Sequence, residues 1–255
     1  MGIKFGCQTI TFGVERHLND FEGILKTLSE AGYDGMENGF ARFDHEKKPK
    51  FYKKLLKKYN IKLLAIHVGG NFLEEDSVKQ QMESFPAIIK LAKKLDCNNI
   101  FISGKREDGI NGDYSKAAGN MDKIGAAIKA AGLKLSYHNH DWEIENNCKG
   151  LYEIAENSKP ENLSFVLDVG WVTKGGADPI DVINKLGDRV SNLHFKEFSK
   201  EGTFTEVGKG VVNFKGVADL VKDRDMWVIA EQDQTTIGVE ESVKYNAGAL
   251  KSYFK

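Results

Sequence analysis

The feature that most constrains the fold is an alternation of short apolar strands with helical segments along the whole chain of 255 residues. In the helical segments apolar residues recur every three to four positions, and a glycine such as Gly32 or Gly132 marks the end. Continuous apolar strands of this kind are typical of parallel sheets with both faces covered. The pattern predicts eight strands, at residues 3–9, 33–37, 61–68, 99–103, 133–138, 163–168, 190–196 and 226–231.

Eight strand-then-helix units over this length favour a closed barrel over an open, doubly wound sheet. No linker rich in proline or serine divides the chain. We therefore predict an α/β protein with a single (β/α)8 TIM-barrel domain that spans residues 1–255. The helical spacing predicts helices at residues 17–31, 51–59, 78–95, 121–131, 150–157, 179–186, 214–221 and 239–253. Pro86 lies inside the third of these and predicts a kink or a split at that point.

The composition narrows the possible partners and compartment. The formal net charge is -1, from 36 basic and 37 acidic residues, so the basic excess that accompanies nucleic-acid binding is missing. No apolar run approaches the roughly 20 residues of a membrane span. Three widely spaced cysteines make a disulfide framework improbable and agree with a reducing compartment. We expect a cytoplasmic protein that binds neither nucleic acid nor membrane.

Polar side chains concentrate where the predicted strands end. In a TIM barrel these ends form one mouth, where active sites are built. Four of the six histidines lie there, and imidazole and carboxylate together suit Mn²⁺, Zn²⁺, Co²⁺ or Mg²⁺, among which ligand type alone does not choose. The residues concerned are Glu37, His67, Ser103, His138, His140, Glu143, Asp168, His194, Lys196 and Glu231.

Each of these positions also has a purely structural interpretation, because a polar residue at a strand end can cap a helix or pair with a neighbour. We favour that interpretation for Glu37 and Ser103, and His67 could be a hydrogen-bonded rim histidine. Asp168, His194 and Glu231 each follow an apolar run and would face one cavity, so together they favour a metal site.

Five motifs link these strand ends to a known family: YHNHDWE (137–143), FVLDVGW (165–171), NLHFKE (192–197), EVGKGVVNF (206–214) and VIAEQD (228–233). In this order and spacing they resemble the xylose-isomerase-like barrels, the sugar phosphate isomerases and epimerases, in the branch with a YHNHxxE signature. The resemblance implies one divalent metal ion held by Glu143, Asp168, His194 and Glu231. His138 or His140 is the alternative to Glu143.

The resemblance further implies a metal-dependent sugar isomerase or epimerase that removes a proton next to the carbonyl of a keto-sugar or polyol. Glu143, His138 and Glu231 are the candidates for the proton acceptor, and Lys196 could steady an enolate oxygen. The alternatives are an inosose-type dehydratase, another sugar lyase or hydrolase, and a non-catalytic sugar-binding barrel. We expect an unphosphorylated sugar or inositol derivative as ligand, and a homodimer is possible. The predicted substrate contacts are Glu37, His67, His140, Trp171 and Glu206.

Overall fold

The computed structural model describes residues 2–105 and 112–255. Its centre is a closed barrel of eight parallel strands, as the alternation predicted, in the order β1-β10-β7-β6-β5-β4-β3-β2. The barrel strands are β1 (Lys4–Gln8), β2 (Gly35–Gly39), β3 (Lys62–Gly69), β4 (Asn99–Ser103), β5 (Lys134–His138), β6 (Ser164–Asp168), β7 (Val190–Phe195) and β10 (Trp227–Ala230). Between the last two, β8 (Glu197–Phe198) and β9 (Phe204–Thr205) form a small antiparallel pair.

Helices follow the strands and cover the outside of the barrel. In chain order they are α1 (Gly13–Asn19), α2 (Phe21–Ala31), α3 (Pro49–Lys58), α4 (Glu75–Lys94), α5 (Tyr114–Ala130), α6 (Glu145–Glu156), α7 (Val169–Lys174), α8 (Pro179–Leu186), α9 (Phe214–Val221) and α10 (Val239–Ser252). Among the described residues, no helix is both long and apolar enough to cross a membrane. All three cysteines are buried and unpaired.

Two helices differ from their predicted form. The pattern from His17 to Ala31 is two helices, because Asp20 leaves the helical conformation and accepts a hydrogen bond from Gly23 N–H as the N-cap of α2. Gly32 then ends α2 in the left-handed conformation that glycine adopts without strain. Pro86 lies inside α4 without splitting it.

The inside of the barrel has an apolar base under a polar mouth. Leu64, Phe101, Val166 and Ile229 pack together there with Trp227. Because side chains alternate between the two faces of a strand, residues two positions further along again point inward. Those next inward positions are Ser103 on β4, Asp168 on β6 and Glu231 just after β10. The alternation along each strand therefore directs these three polar side chains into the mouth.

Candidate metal centre

Four buried side chains meet at the mouth of the barrel: His138, Asp168, His194 and Glu231. Each offers one ligand atom, and these atoms all lie within 4.8 Å of one another. They come from β5, β6, β7 and the end of β10, which are neighbours in the barrel, and Asp168 stands in register with His194. The group is thus assembled from sequence-distant residues by the closure of the sheet.

The donor atoms of this group fit a divalent cation. His138 Nε2 lies 3.4 Å from Asp168 Oδ2 and 3.3 Å from Glu231 Oε2. Both His138 Nε2 and Asp168 Oδ2 are buried without a hydrogen-bond partner. Buried polar atoms are normally satisfied, and leaving one without a partner costs about 1–3 kcal/mol. Two imidazoles and two carboxylates around one point would be satisfied by Zn²⁺, Mn²⁺ or Co²⁺.

Asp168 divides its two carboxylate oxygens between two tasks. Oδ1 accepts the Trp171 N–H at 2.8 Å and so caps α7, which begins directly after β6. The Asn139 side chain makes two hydrogen bonds to the Asp168 backbone. Asn139 Oδ1 accepts the Asp168 N–H at 2.9 Å, and Asn139 Nδ2 donates to the Asp168 carbonyl at 3.3 Å. With the backbone and one oxygen held, Oδ2 is left to face the group.

His194 is held from behind by a second set of buried groups. Its Nδ1 contacts Glu231 Oε2, while its Nε2 lies 2.7 Å from Glu37 Oε2. The other oxygen of Glu37 lies 2.7 Å from His67 Nδ1, and His67 Nε2 lies 2.9 Å from Ser103 Oγ. A carboxylate behind a metal-binding histidine fixes the orientation of the ring and raises its basicity.

The charges of these groups shift the pKa of both Glu37 and His194. Burial alone would raise the pKa of Glu37, but the charge of His194 and hydrogen bonds from His194 and His67 lower it to about 2. Burial alone would lower the pKa of His194, but the carboxylates of Glu37 and Glu231 raise it to about 10. The imidazole of His194 thus lies between two carboxylates that favour its protonated form.

The structure does not bring Glu143 to the group, although the family resemblance implied it as a ligand. Its Oε1 accepts a hydrogen bond from the Tyr137 hydroxyl at 2.7 Å, and its Oε2 accepts the His140 N–H at 2.6 Å. Burial raises the pKa of Glu143 to about 7. Both oxygens are satisfied by β5 and the loop that follows it, whereas His138 ends the strand and belongs to the group. His138, the alternative left open by the sequence, thus lies with Asp168, His194 and Glu231, and Glu143 as a metal ligand stays a prediction.

Lys196 lies beside the group, as expected, and is held by three carboxylates. Its Nζ lies 2.7 Å from Asp233 Oδ2, 3.2 Å from Glu231 Oε1 and 4.0 Å from Asp168 Oδ2. Burial would lower its pKa, but these charges raise it above the ordinary range. Lys196 is thus an ammonium ion. Asp233 was not singled out from the sequence, although it closes the VIAEQD motif quoted above.

A cavity of about 510 Å³ opens above the group at the mouth. Of the predicted substrate contacts, His67 and His140 line it, as do the predicted catalytic residues His138, Lys196 and Glu231. His140 stacks on Trp142, with ring centroids 4.2 Å apart. Burial lowers the pKa of His140 well below its usual value, so this imidazole is neutral.

Three other predicted contacts do not line the cavity in the described part of the chain. Glu37 is fully buried behind His194. Trp171 is buried against Phe198 and Phe204, at centroid distances of 4.8 and 5.9 Å. Glu206 accepts a hydrogen bond from the Thr235 hydroxyl at 2.8 Å.

Comparison with known proteins gives one family for most of the chain. Residues 25–253 match the family described as xylose isomerase-like TIM barrel. Curated relatives include an inosose dehydratase from Lacticaseibacillus casei, 22% identical over 252 residues, which covers 84% of this chain and 82% of that protein.

Solved structures agree on the fold. A sugar phosphate isomerase/epimerase from Parabacteroides distasonis superposes with a TM-score of 0.83 at 19% identity, covering 99% of this chain and 100% of that one. The IolI protein with a bound zinc atom superposes with a TM-score of 0.75 at 13% identity and covers 98% of both chains.

Proposed function

Because the chain belongs to the xylose isomerase-like TIM barrel family, we propose that it is a metal-dependent enzyme that removes a proton next to the carbonyl of a keto-polyol and then expels water. The observation that carries this proposal is the buried group of His138, Asp168, His194 and Glu231, whose ligand atoms lie within 4.8 Å of one another at the floor of a cavity. The inosose dehydratases among the relatives support dehydration as the outcome.

One divalent ion, held by these four residues, would polarise the carbonyl oxygen of the substrate and so lower the cost of proton removal. The IolI protein, which has a similar fold, binds a zinc atom, and this supports metal binding by a barrel of this fold. The donor set also suits Mn²⁺ and Co²⁺. Mg²⁺, which prefers oxygen ligands, fits two imidazoles less well.

We assign proton removal to His140. It lines the cavity as a neutral imidazole, and it is outside the ligand group to which His138 and Glu231 belong. Glu143, also a candidate from the sequence, is held by Tyr137 and the His140 backbone instead. A neutral imidazole at the cavity wall is suited to general base catalysis.

Lys196 has the complementary role. Its ammonium group lines the cavity and can donate a hydrogen bond to the developing enolate oxygen or to the departing hydroxyl. Asp233, 2.7 Å away, orients it and favours its charged form. The proton that His140 removes can leave with that hydroxyl as water, so that the elimination balances.

Isomerisation or epimerisation is the second candidate function. It shares the first proton removal with dehydration, and the structural similarity to sugar phosphate isomerase/epimerases supports it. The two differ in the second step, because the proton is returned to carbon and no water is lost. The mass of the product therefore separates them.

The metal site is tested with Asp168→Asn, which keeps an oxygen to cap α7 but removes the charge. Wild-type protein should bind one Mn²⁺ or Zn²⁺ per chain by metal analysis after dialysis, and D168N should bind at least tenfold more weakly. Asp178→Asn is the matched control, because Asp178 caps α8 in the same way on the exposed surface. Equal metal binding by D168N and D178N would refute the site.

The reaction is tested by incubating metal-loaded protein with inososes and keto-sugars in deuterium oxide. Proton removal incorporates deuterium next to the carbonyl, and dehydration in addition lowers the mass of the product by one water. His140→Gln should reduce both while leaving the metal content unchanged. Ligand binding without deuterium uptake in any of these compounds would favour a non-catalytic sugar-binding barrel.

A further inference from the structure

One charged residue at the mouth has no role in the site described so far. Arg42 ends a short turn, Phe40–Arg42, that directly follows β2, and it lines the same cavity as His140 and Lys196. Its side chain lies back across Gly39, where an added Cβ would stand 3.3 Å from Arg42 Cδ and 3.4 Å from Nε. The backbone at Gly39 thus leaves room for the guanidinium to rest at the cavity wall.

Arg42 also lacks the partners that other arginines have. Within residues 2–105 and 112–255 its guanidinium makes no ion pair, and Nη1 is buried without a hydrogen-bond partner. In contrast, Arg16 pairs with Glu240, and Arg189 donates to Ser158 Oγ at 2.7 Å and Leu163 O at 2.8 Å. A buried donor without an acceptor is costly, and arginine stays charged at any physiological pH. This guanidinium is therefore suited to an acceptor that arrives with a ligand.

Lys196, the second cation that lines the cavity in the described part of the chain, has its charge balanced by carboxylates. Lys196 is surrounded by Asp233, Glu231 and Asp168. Burial lowers the pKa of Arg42, and no carboxylate of residues 2–105 and 112–255 opposes that shift. Among these residues, the positive charge of Arg42 therefore remains uncompensated at the cavity wall.

We propose that Arg42 binds a carboxylate of the substrate, so that the enzyme acts on a keto-polyol that carries an acid group. This inference rests on the proposed function and narrows its substrate class. The planar fork of a guanidinium matches a carboxylate with two parallel hydrogen bonds. A phosphate dianion would need more charge than one arginine, and phosphate sites in TIM barrels normally add backbone N–H donors at a helix N-terminus.

The test compares binding of matched ring polyols to Mn²⁺-loaded protein by calorimetry. Shikimate carries one carboxylate and its amide is neutral, while myo-inositol 1-phosphate and myo-inositol form the phosphate pair. Wild-type protein should bind shikimate about 10- to 100-fold more tightly than the amide, as expected for a charge-assisted hydrogen bond. Arg42→Gln should remove this preference and leave amide binding and metal content unchanged.

Lys48→Gln is the matched control, because Lys48 is an exposed cation close in sequence to Arg42 that does not line the cavity. It should keep the wild-type preference. Equal binding of shikimate and its amide by wild-type protein, or a preference that survives in R42Q, would overturn the inference. An Arg42-dependent preference for the inositol phosphate over shikimate would also overturn it, in favour of a phosphate. A wild-type protein that binds no metal would instead refute the proposed function.

Discussion

At the scale of single residues, the site depends on side chains that serve two neighbours at once. Asp168 caps α7 with one oxygen and faces the metal group with the other. Glu37 accepts hydrogen bonds from His67 with one oxygen and from His194 with the other. The sequence predicts that Glu37 ends a strand. Its role depends on its contact with His194, an inward side chain of β7 that comes 157 residues later.

Glu37 supplies a residue-scale prediction. In Glu37→Gln the amide keeps one acceptor oxygen, so one of the two imidazole N–H groups loses its partner. The ring of His194 is then held less firmly and becomes less basic. Metal affinity should therefore fall about 10- to 100-fold. Competition with a chromogenic chelator measures this. Glu161→Gln removes an exposed carboxylate outside the site and should not change the affinity. An E37Q affinity equal to that of wild type would show that Glu37 does not support the ligand.

At the scale of elements, helices with clear punctuation were predicted accurately. The predicted helices 179–186 and 214–221 match α8 and α9. Helix α8 has Asp178 as its N-cap and Pro179 as its first residue, and α9 has Asn213 as its N-cap. In contrast, no helix is predicted at Val169–Lys174, where the structure has α7, because FVLDVGW indicates a strand followed by candidate site residues. The first turn of α6 contains three residues in the left-handed conformation, Asn146, Asn147 and Cys148, so its regular part begins close to the predicted start at Gly150. Asparagine tolerates that conformation better than most residues.

Two glycines in α5 give an element-scale prediction. A Cβ at Gly125 would overlap the carbonyl oxygen of Asn162, whereas a Cβ at Gly119 would meet nothing within 4 Å. Gly125→Ala should therefore lower the free energy of unfolding by about 1–3 kcal/mol, because backbone must move. Gly119→Ala, in the same helix, should raise it by about 0.5–1 kcal/mol. Urea denaturation measures both, and equal effects would show that α5 does not pack tightly on this loop.

At the scale of the whole molecule, a buried histidine links stability to pH. His17 is fully buried, with Nδ1 2.6 Å from Gly13 O and Nε2 3.0 Å from Thr9 Oγ1. Burial lowers its pKa from 6.5 to about 4. The unfolded chain therefore binds a proton between these values while the folded chain does not. Stability is fully present above pH 6.5 and is lost as the pH falls towards 4.

The expected loss from His17 is about 3 kcal/mol, from a shift of roughly 2.5 pKa units at 1.36 kcal/mol each. His17→Gln can keep both hydrogen bonds without titrating. The difference in unfolding free energy between wild type and H17Q should therefore shrink by about this amount as the pH falls through the same range. Urea denaturation at several pH values measures it. A difference that stays constant with pH would contradict the prediction.

The sequence by itself determined the barrel and which strand ends meet. Eight apolar strands that alternate with helices over this length favour a closed barrel inside a ring of helices, and the two-residue period of a strand sets the inward positions. Asp168, His194 and Glu231 follow from that rule. Only the tertiary structure decided that His138 rather than Glu143 joins them and that Glu37 lies behind His194. It also showed that Arg42 lines the cavity and that its Nη1 has no hydrogen-bond partner within the described residues. Spacing along the chain does not show which way a loop carboxylate turns or which acceptor reaches a loop cation, because these depend on strands distant in sequence.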